Sequence, residues 1–389
     1  MVSKHKEKTA FVDDRLDLLE KSDLYRRLRS VTVHGPTATV DGRETIHLCS
    51  NDYLGLSRNK SVVKKTIEVL CGEVSQCSSR LIAGNHPAII ELEDMLADHR
   101  GTEAALVYPT GYSANLGAVT AVADKSATIF SDELNHASII DACRLSGATI
   151  KIFEHNDVDI LQELMHQSKG RKIVITEGIY SMDGDSAKLS EICAIAKEND
   201  AITIVDDAHG DFVFGPNFSG IPAKFGVDVD IHISSMSKGL GCFGGYVATT
   251  RSLRELFINT SRQFIYTSAL PGHLCAAAVA AIPLAKRGNL QKILYSNIEY
   301  FTKAVKKLGF VLGSSSSQII PFLIGPEKTA VDFSKELLSQ GVFAQAIRYP
   351  TVKKGSARLR VSLTAMHDKK HLDGAIDAFE RAGKKIGII

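Results

Sequence analysis

Through the middle of the chain, short apolar runs rich in β-branched residues alternate with stretches whose apolar positions recur every three or four residues. EAALVYP (103–109), ATIFSD (127–132), TIKIFEH (149–155), KIVITEG (172–178), AITIVDDAHG (201–210) and DVDIHISS (228–235) carry the first pattern. A stretch from about Tyr112, ASIIDACRLSG (137–147) and LSEICAIAKEND (189–200) carry the second. Unbroken apolar runs predict strands buried on both faces, and the helices between them predict a mostly parallel sheet covered on both sides. The pattern changes after about Arg287. SQIIPFLIG, VFAQAIRYP and ARLRVSLTA predict strands, and AVDFSKELLSQG and KKHLDGAIDAFERAGK predict helices, which together make a small α+β unit. The expected division of this α/β chain is residues 46–286 as a large sheet domain and 287–389 as a small C-terminal domain. Residues 1–45, a helix followed by VTVHGPTATVDG, are expected to pack on the small domain.

Composition narrows the class. A chain of 389 residues is longer than one compact core usually holds. The balance of 46 basic and 44 acidic residues gives no reason to expect a nucleic-acid or membrane partner. The longest small-apolar run, LCAAAVAAIPLA, is too short to span a bilayer and contains Pro283, so it reads as a buried helix. The first residues, MVSKHKEKTAFVDDRLDLLEK, lack the apolar core of a secretory signal. Seven scattered cysteines without a C-x-x-C pair point to reduced thiols in a cytoplasm, and to neither a disulfide framework nor a zinc site. No metal ligands are expected.

In open parallel sheets, ligands bind beyond the carboxyl ends of the strands. The residues there are Thr110-Gly111-Tyr112, His136, Glu177 with Ser181, Asp206 with His209, and Ser235 with Lys238. Each has an ordinary reading: a capped turn at Thr110, a surface histidine at 136, a turn former at Ser181, a helix cap at Asp206. Taken together they supply amide donors at a helix start, an acid, two imidazoles and an amine, a set suited to a phosphorylated heteroaromatic cofactor. A carboxylate in a dry site beside a pyridine would keep the ring nitrogen protonated, and His209 could meet the same ring from the side.

Lys238 lies in IHISSMSKGLGCFGG, whose glycines at 239, 241 and 244 fit G-x-G-x-x-G. The dinucleotide fingerprint needs those glycines to open a helix, with an acid about 20 residues on. Here GGYVATT follows and predicts another strand, so that reading is rejected. The glycines instead let the backbone pass close to a bound ring and phosphate. Lys238 would then form a Schiff base with a cofactor aldehyde, and Ser235, one helical turn before it, could bind the phosphate.

The blocks SNDYLGLS, SRLIAGNHP, DELNHASIIDACRLSG, ITEGIYSMDGD, VDDAHG, SKGLG, FIYTSALP and AIRYPTVKKGSARLRVSLTAMH run in order from about Leu24 to His367. On them the chain resembles the α-oxoamine synthases, pyridoxal-phosphate (PLP) enzymes of the aspartate-aminotransferase-like fold (fold type I). The resemblance implies a homodimer with the active site at the interface, and amino-acid and acyl-CoA substrates joined with loss of carbon dioxide. It implies that Lys238 carries the cofactor, Asp206 pairs with its ring nitrogen, His209 approaches its ring hydroxyl and His136 stacks on the ring. Gly111, Tyr112, Ser181 and Ser235 would hold ring and phosphate, and Thr267 would reach the phosphate from the second subunit. Asn51 would lie near cofactor and substrate, Arg360 would take the amino-acid carboxylate, and Arg26 and Thr351 would line the acyl donor's path. TEGIYSMDGD, DDAHG and AIRYPTV narrow the likeness to the branch that uses L-alanine and a pimeloyl thioester. The alternative within the family is glycine with acetyl-CoA. The chain departs from the family pattern in SQCSSR, where a glycine-rich run is usual, in Asp211-Phe212, where a small pair is usual, and at Gly272, where a second proline is common.

Overall fold

The computed structural model describes residues 8–389; the first seven residues of the 1–45 segment lie outside the described residues. Its largest sheet has seven strands, ordered from one edge Ala104–Tyr108, Gly245–Thr249, Ile231–Ser235, Ala201–Asp206, Arg171–Glu177, Ala127–Asp132 and Thr149–Phe153. Gly245–Thr249 runs antiparallel to both neighbours, and the pairs across the rest of the sheet are parallel. Every residue of Ala127–Asp132 and Gly245–Thr249 is buried, as unbroken apolar runs inside a covered sheet must be. At the far edge, Thr149–Phe153 is exposed at three of its five positions, because nothing pairs with its outer side.

Parallel pairing brings the carboxyl ends of four strands, at Asp132, Glu177, Asp206 and Ser235, to one rim of the sheet. Glu177 lies in register with Asp206, and Asp206 with Ile233. Helices start at this rim with their own caps. Thr110 Oγ1 accepts from Ser113 N at 3.0 Å and Ser113 Oγ accepts from Thr110 N at 3.0 Å, a reciprocal box that opens Gly111–Val122. His136 caps Ala137–Ser146 through Nδ1, which accepts from Ser138 N at 3.2 Å. No helix among the described residues is long and apolar enough to cross a membrane, and the alanine-rich run forms the largely buried helix Gly272–Ala285.

Two smaller sheets complete the molecule. Ile319–Gly325, Ala357–Ser362 and Gln345–Ile347 form an antiparallel sheet. Val31–Val33, Thr37–Val40, Arg43–His47 and Val342–Phe343 form a second. The run VFAQAIRYP is therefore two strands and not the single one its pattern predicts. Val342–Phe343 pairs with Ile46–His47, and after the fully buried Ala344 the chain switches sheets to pair Gln345–Ile347 with Arg358–Arg360. A switch between sheets leaves no mark on hydrophobic periodicity, because both halves are strand. Phe322 and Phe379, with ring centroids 4.6 Å apart, anchor the core behind these strands.

A charge cluster lies under the rim. Arg100 Nη1 donates to Asp207 Oδ2 at 2.9 Å, Arg100 Nε to Tyr246 Oη at 2.9 Å, and Tyr246 Oη to Asp211 Oδ2 at 2.5 Å. His99 Nε2 sits 3.0 Å from Asp211 Oδ1, and its ring stacks on Phe212 at 3.9 Å. Burial, opposed by Arg100 and reinforced by Asp211, pushes Asp207 up to about 7. Against its own burial, Arg100 and then His99 hold Asp211 down to about 2. The chain is pared back to admit Asp207: a Cβ on Gly220 would lie 1.7 Å from Asp207 Oδ2, and one on Gly210 2.1 Å from its Oδ1. Removing one partner of such a pair strands the others without solvent. Arg100→Met is expected to destabilise the protein by about 3–5 kcal/mol, read as a lowered denaturant midpoint. A shift under about 1 kcal/mol would mean that the cluster adds nothing to the fold.

Candidate active site

Asp206 and Asp207 follow one another at the end of a strand, so their side chains leave opposite faces of the sheet. Asp207 goes to Arg100. Asp206, 8% exposed, faces the rim, where Oδ2 accepts from Asn115 Nδ2 at 2.6 Å and Oδ1 from Ala208 N at 3.1 Å. Asn115 also donates to Ser138 Oγ at 3.0 Å, tying the two capped helices to this carboxylate. The turn after Asp207 then brings His209 into the site, with Gln318 Nε2 holding its carbonyl at 2.9 Å.

His209 bridges an amine and a phenol. Its Nε2 is 3.0 Å from Lys238 Nζ and its Nδ1 is 2.6 Å from Tyr53 Oη. Burial, then Lys238 and Arg360, hold the imidazole well below its ordinary pKa, so the ring is neutral. A neutral ring has one donor and one acceptor nitrogen, so the Lys238 and Tyr53 contacts have opposite sense. Lys238 is itself held below the ordinary lysine value. Burial is the first cause and Arg360 adds to it, while Asp206 and Glu177 oppose it.

Arg360, 9% exposed, donates through Nε to the Ser181 carbonyl at 2.6 Å, through Nη1 to Ser362 Oγ at 2.9 Å, and through both terminal nitrogens to Asn51 Oδ1 at 3.3 Å. These partners are all neutral, and it forms no salt bridge among the described residues. A buried guanidinium in that state is suited to a carboxylate brought in by a ligand. Asn51 thus joins Arg360 to Tyr53, whose hydroxyl lies 3.2 Å from Asn51 Oδ1.

The residues fit a phosphorylated ring. At the first turn of Gly111–Val122, the amides of Gly111 and Tyr112 find no backbone acceptor among the described residues, because the cap takes only the Ser113 amide. A Cβ on Gly245 would lie 2.4 Å from the Gly111 nitrogen, and a Cβ on Gly111 3.1 Å from that of Ser235, so the cradle is made of close-packed backbone around one serine. The His136 ring is exposed beside it, and Asn115 Oδ1 and Glu177 Oε1 are enclosed polar atoms with no partner in the protein. Ser235 precedes a turn and not the helical turn expected. Met236 N bonds Gly244 O at 2.9 Å and Cys242 N bonds Met236 O at 2.9 Å, closing the Lys238 segment into a loop.

The chain thus gathers Lys238, His209, Tyr53, Asn51, Arg360 and the Ser181 carbonyl by direct bonds, while Asp206 is joined through Asn115 and Ser138 to His136, and Gly111 lies against Ser235. Three expected residues stand apart. Arg26 meets the 348–351 turn, donating to the Tyr349 carbonyl at 3.5 Å, and Thr351 N closes that turn on Arg348 O at 3.1 Å. Thr267, half-buried, has no hydrogen bond to the cluster within the described residues. Its loop instead clasps the SQCSSR segment, where Ala269 N donates to Ser78 O at 2.9 Å. The reading by strand ends missed Tyr53 and Asn115. Tyr53 lies in SNDYLGLS, far from any strand end, and Asn115 carries only the weak signal of standing one helical turn after Gly111.

The profile of the family described as aminotransferase class I and II matches residues 43–379. An 8-amino-7-oxononanoate synthase from Thermoanaerobacter pseudethanolicus is 42% identical over 97% of this chain and 98% of its own. Among solved structures, a serine palmitoyltransferase from S. paucimobilis with bound PLP–myriocin superposes with a TM-score of 0.93 at 30% identity, covering 99% of both chains. An 8-amino-7-oxononanoate synthase from Francisella tularensis superposes with a TM-score of 0.75 at 26% identity, covering 89% of this chain and 99% of that one.

The depressed lysine gives a test independent of any substrate. In competitive acetylation of the full chain freed of cofactor, across rising pH, Lys238 should reach half-modification at a lower pH than the bulk of the protein's lysines. A Lys238 midpoint at or above theirs would remove the electrostatic basis of the site.

Proposed function

The chain belongs to the aminotransferase class I and II family, and from that premise we propose that it condenses L-alanine with pimeloyl-CoA, releasing CoA and carbon dioxide and forming 8-amino-7-oxononanoate for biotin synthesis. The fold is aspartate-aminotransferase-like, and the cofactor is PLP. The observation that carries the reading is a lysine held toward its neutral form, facing Asp206, beside an arginine that has no acidic partner. The near-full-length likeness to 8-amino-7-oxononanoate synthases supports the choice of substrates. The division at residues 46 and 287 belongs to the same reading, as does a cytoplasmic location.

Bound PLP draws electrons from the α-carbon of an amino acid joined to it. The protein's own groups do the rest. Lys238 Nζ holds the cofactor at rest and, once displaced by the substrate amine, takes the α-proton. Asp206, held in place by the Asn115 and Ala208 donors, would hold a proton on the ring nitrogen. Neutral His209 donates to the ring hydroxyl and is aligned by Tyr53. His136 would lie against the ring face, while Gly111, Tyr112, Ser181 and Ser235 would hold ring and phosphate. Arg360 and Asn51 receive the alanine carboxylate, the group later lost as carbon dioxide. Arg26 and Thr351 line the acyl donor's path, where Arg26 complements the far carboxylate of a pimeloyl chain, its neighbours Arg27 and Arg29 being paired with Glu20 and Asp41.

Thr267 completes a partner's phosphate site in a homodimer. Tyr266, 72% exposed, and Ile82, 82% exposed, are large apolar groups on the Thr267 loop and on the segment following SQCSSR, and support burial of that edge by a second copy.

Lys238→Ala should lower kcat by about 10³–10⁴-fold, since holding group and base vanish together. Borohydride reduction and peptide mapping should place the cofactor label on Lys238, and a label elsewhere would overturn its role. Arg26→Ala should raise KM for pimeloyl-CoA far more than for alanine. One methyl separates alanine from glycine, a difference that a pocket resolves by only about 1–3 kcal/mol, so the donor decides the assignment. A higher kcat/KM with glycine and acetyl-CoA than with alanine and pimeloyl-CoA would replace it with the acetyltransferase reading.

A further inference from the structure

Glu177 is an acid at the rim to which no role has been given. It ends the strand beside Asp206 and stands directly opposite it in the register. Neighbouring strands lie about 4.8 Å apart, so the two carboxyl groups are held close on one face of the sheet. Glu177 is 3% exposed and its Oε1 has no partner in the protein. Its other neighbours are the main-chain N–H of His136, which donates to it, and the charges of Lys238 and Asp132.

The other acids at the rim have their charges provided for. Asp132 accepts from His155 Nδ1 at 3.1 Å, and His155 Nε2 lies 2.8 Å from Asp185. Despite partial burial, those two carboxylates lift His155 to about 10, so a fixed imidazolium balances them. Asp206 has two donors, Asn115 and Ala208. Glu177 has one amide, no arginine or lysine in a salt bridge among the described residues, and a like charge on the adjacent strand. An ionised Glu177 would be an enclosed charge beside a second carboxylate, which proteins resolve by keeping a proton.

We propose that Glu177 is a neutral carboxylic acid in the working enzyme, and that its proton limits the negative charge facing Lys238 to that of Asp206. Burial and the Asp206 charge, only partly opposed by Lys238, raise Glu177 well above the ordinary carboxylate value, in the same sense. The consequence falls on the lysine. Glu177 in its ionised form favours the ammonium of Lys238, and an ammonium cannot accept the α-proton. The protonated acid removes one of the negative charges that oppose the depression of Lys238, leaving Asp206 and the more weakly acting Asp207, and so leaves the amine nearer its neutral, basic form than an ionised Glu177 would. Glu177 is thus a positioning residue that acts through Lys238. The inference rests on Lys238 being the reacting amine and not on which acyl donor is used.

Three measurements on the full chain test it, and none requires turnover. Difference infrared spectroscopy at neutral pH, wild type against Glu177→Gln, should show the carbonyl stretch of a protonated carboxylic acid in the wild type and its loss in the variant. Absence of that band would overturn the proposal. The pH dependence of stability has a definite sign. A carboxyl whose folded-state pKa lies above its unfolded value stabilises in acid, and that contribution is lost as pH rises toward the folded value. Glutamine lacks the term, so the melting temperature of Glu177→Gln relative to wild type should climb from about pH 5 to about pH 8. A flat or falling difference would mean that Glu177 is ionised in the native state. Finally, with the cofactor removed, competitive acetylation of Lys238 should keep its midpoint within about half a unit in Glu177→Gln, whereas removing a full adjacent negative charge would lower it by about one unit or more. Should the glutamine variant fail to fold, the infrared pH titration of wild type with isotope-labelled glutamate reads the same proton. Failure of the pimeloyl assignment would leave all three outcomes untouched.

Discussion

Two acids in succession at the end of one buried strand must leave opposite faces of the sheet, and each then needs a partner that the interior does not offer for nothing. Asp207 is given Arg100, held in turn by Asp211 and Tyr246. Asp206 is given two neutral donors and no cationic partner, and faces the site. The turn that carries His209 runs from Asp207 to Asp211, with both ends in the Arg100 cluster, and Asp211 N closes it on Asp207 O at 2.9 Å. The ring that meets Lys238 is thus oriented by ion pairs on the far side of the sheet from the chemistry. Those pairs supply geometry more than stability, since a buried pair recovers little beyond its desolvation.

The same constraint explains the electrostatics of the rim. Burial first, then Lys238 and Arg360, hold His209 neutral. Neutrality lets one ring serve an amine on one nitrogen and a phenol on the other. Arg360 then provides the charge that is left without an acidic partner, where a substrate carboxylate can take it up.

Much of this was legible before any coordinates. The alternation of apolar runs and helical stretches gave the large sheet, because continuous burial on both faces is written directly into residue type. Reading along its strand ends reached Gly111, His136, Glu177, Ser181, Asp206, His209, Ser235 and Lys238. What stayed hidden depends on contacts remote in sequence. Tyr53 is separated from His209 by 156 positions, and Asn115 from Asp206 by 91. Neither pairing has a local signature, and a tyrosine and an asparagine have many commoner uses. Asn51 and Arg360 came only through resemblance, since neither follows a strand of the large sheet. The break in VFAQAIRYP was invisible for a different reason: partner choice is not encoded in the period of a strand.

Two departures from the family pattern gain a physical account in the same way, because each meets a residue distant in sequence. Asp211 stands where the family favours a small side chain, and its carboxylate meets His99 and Arg100 in the buried cluster. Phe212 beside it adopts a left-handed φ of 61° and lays its ring flat on His99. A small residue at 212 would leave His99 without its stack, and one at 211 would leave Arg100 and His99 facing each other with less negative charge between them. Gly272, where a proline is common, has the His86 ring 2.7 Å from the position a Cβ would take. His86 in turn caps the helix Pro87–Arg100 by accepting from Ala88 N at 3.0 Å. That helix ends in His99 and Arg100, so the exchange at 272 and the exchange at 211–212 meet on one element, the first at its start and the second at its end. Reverting either departure alone would then be felt along the helix that anchors the His209 turn, and the two belong to one packing solution.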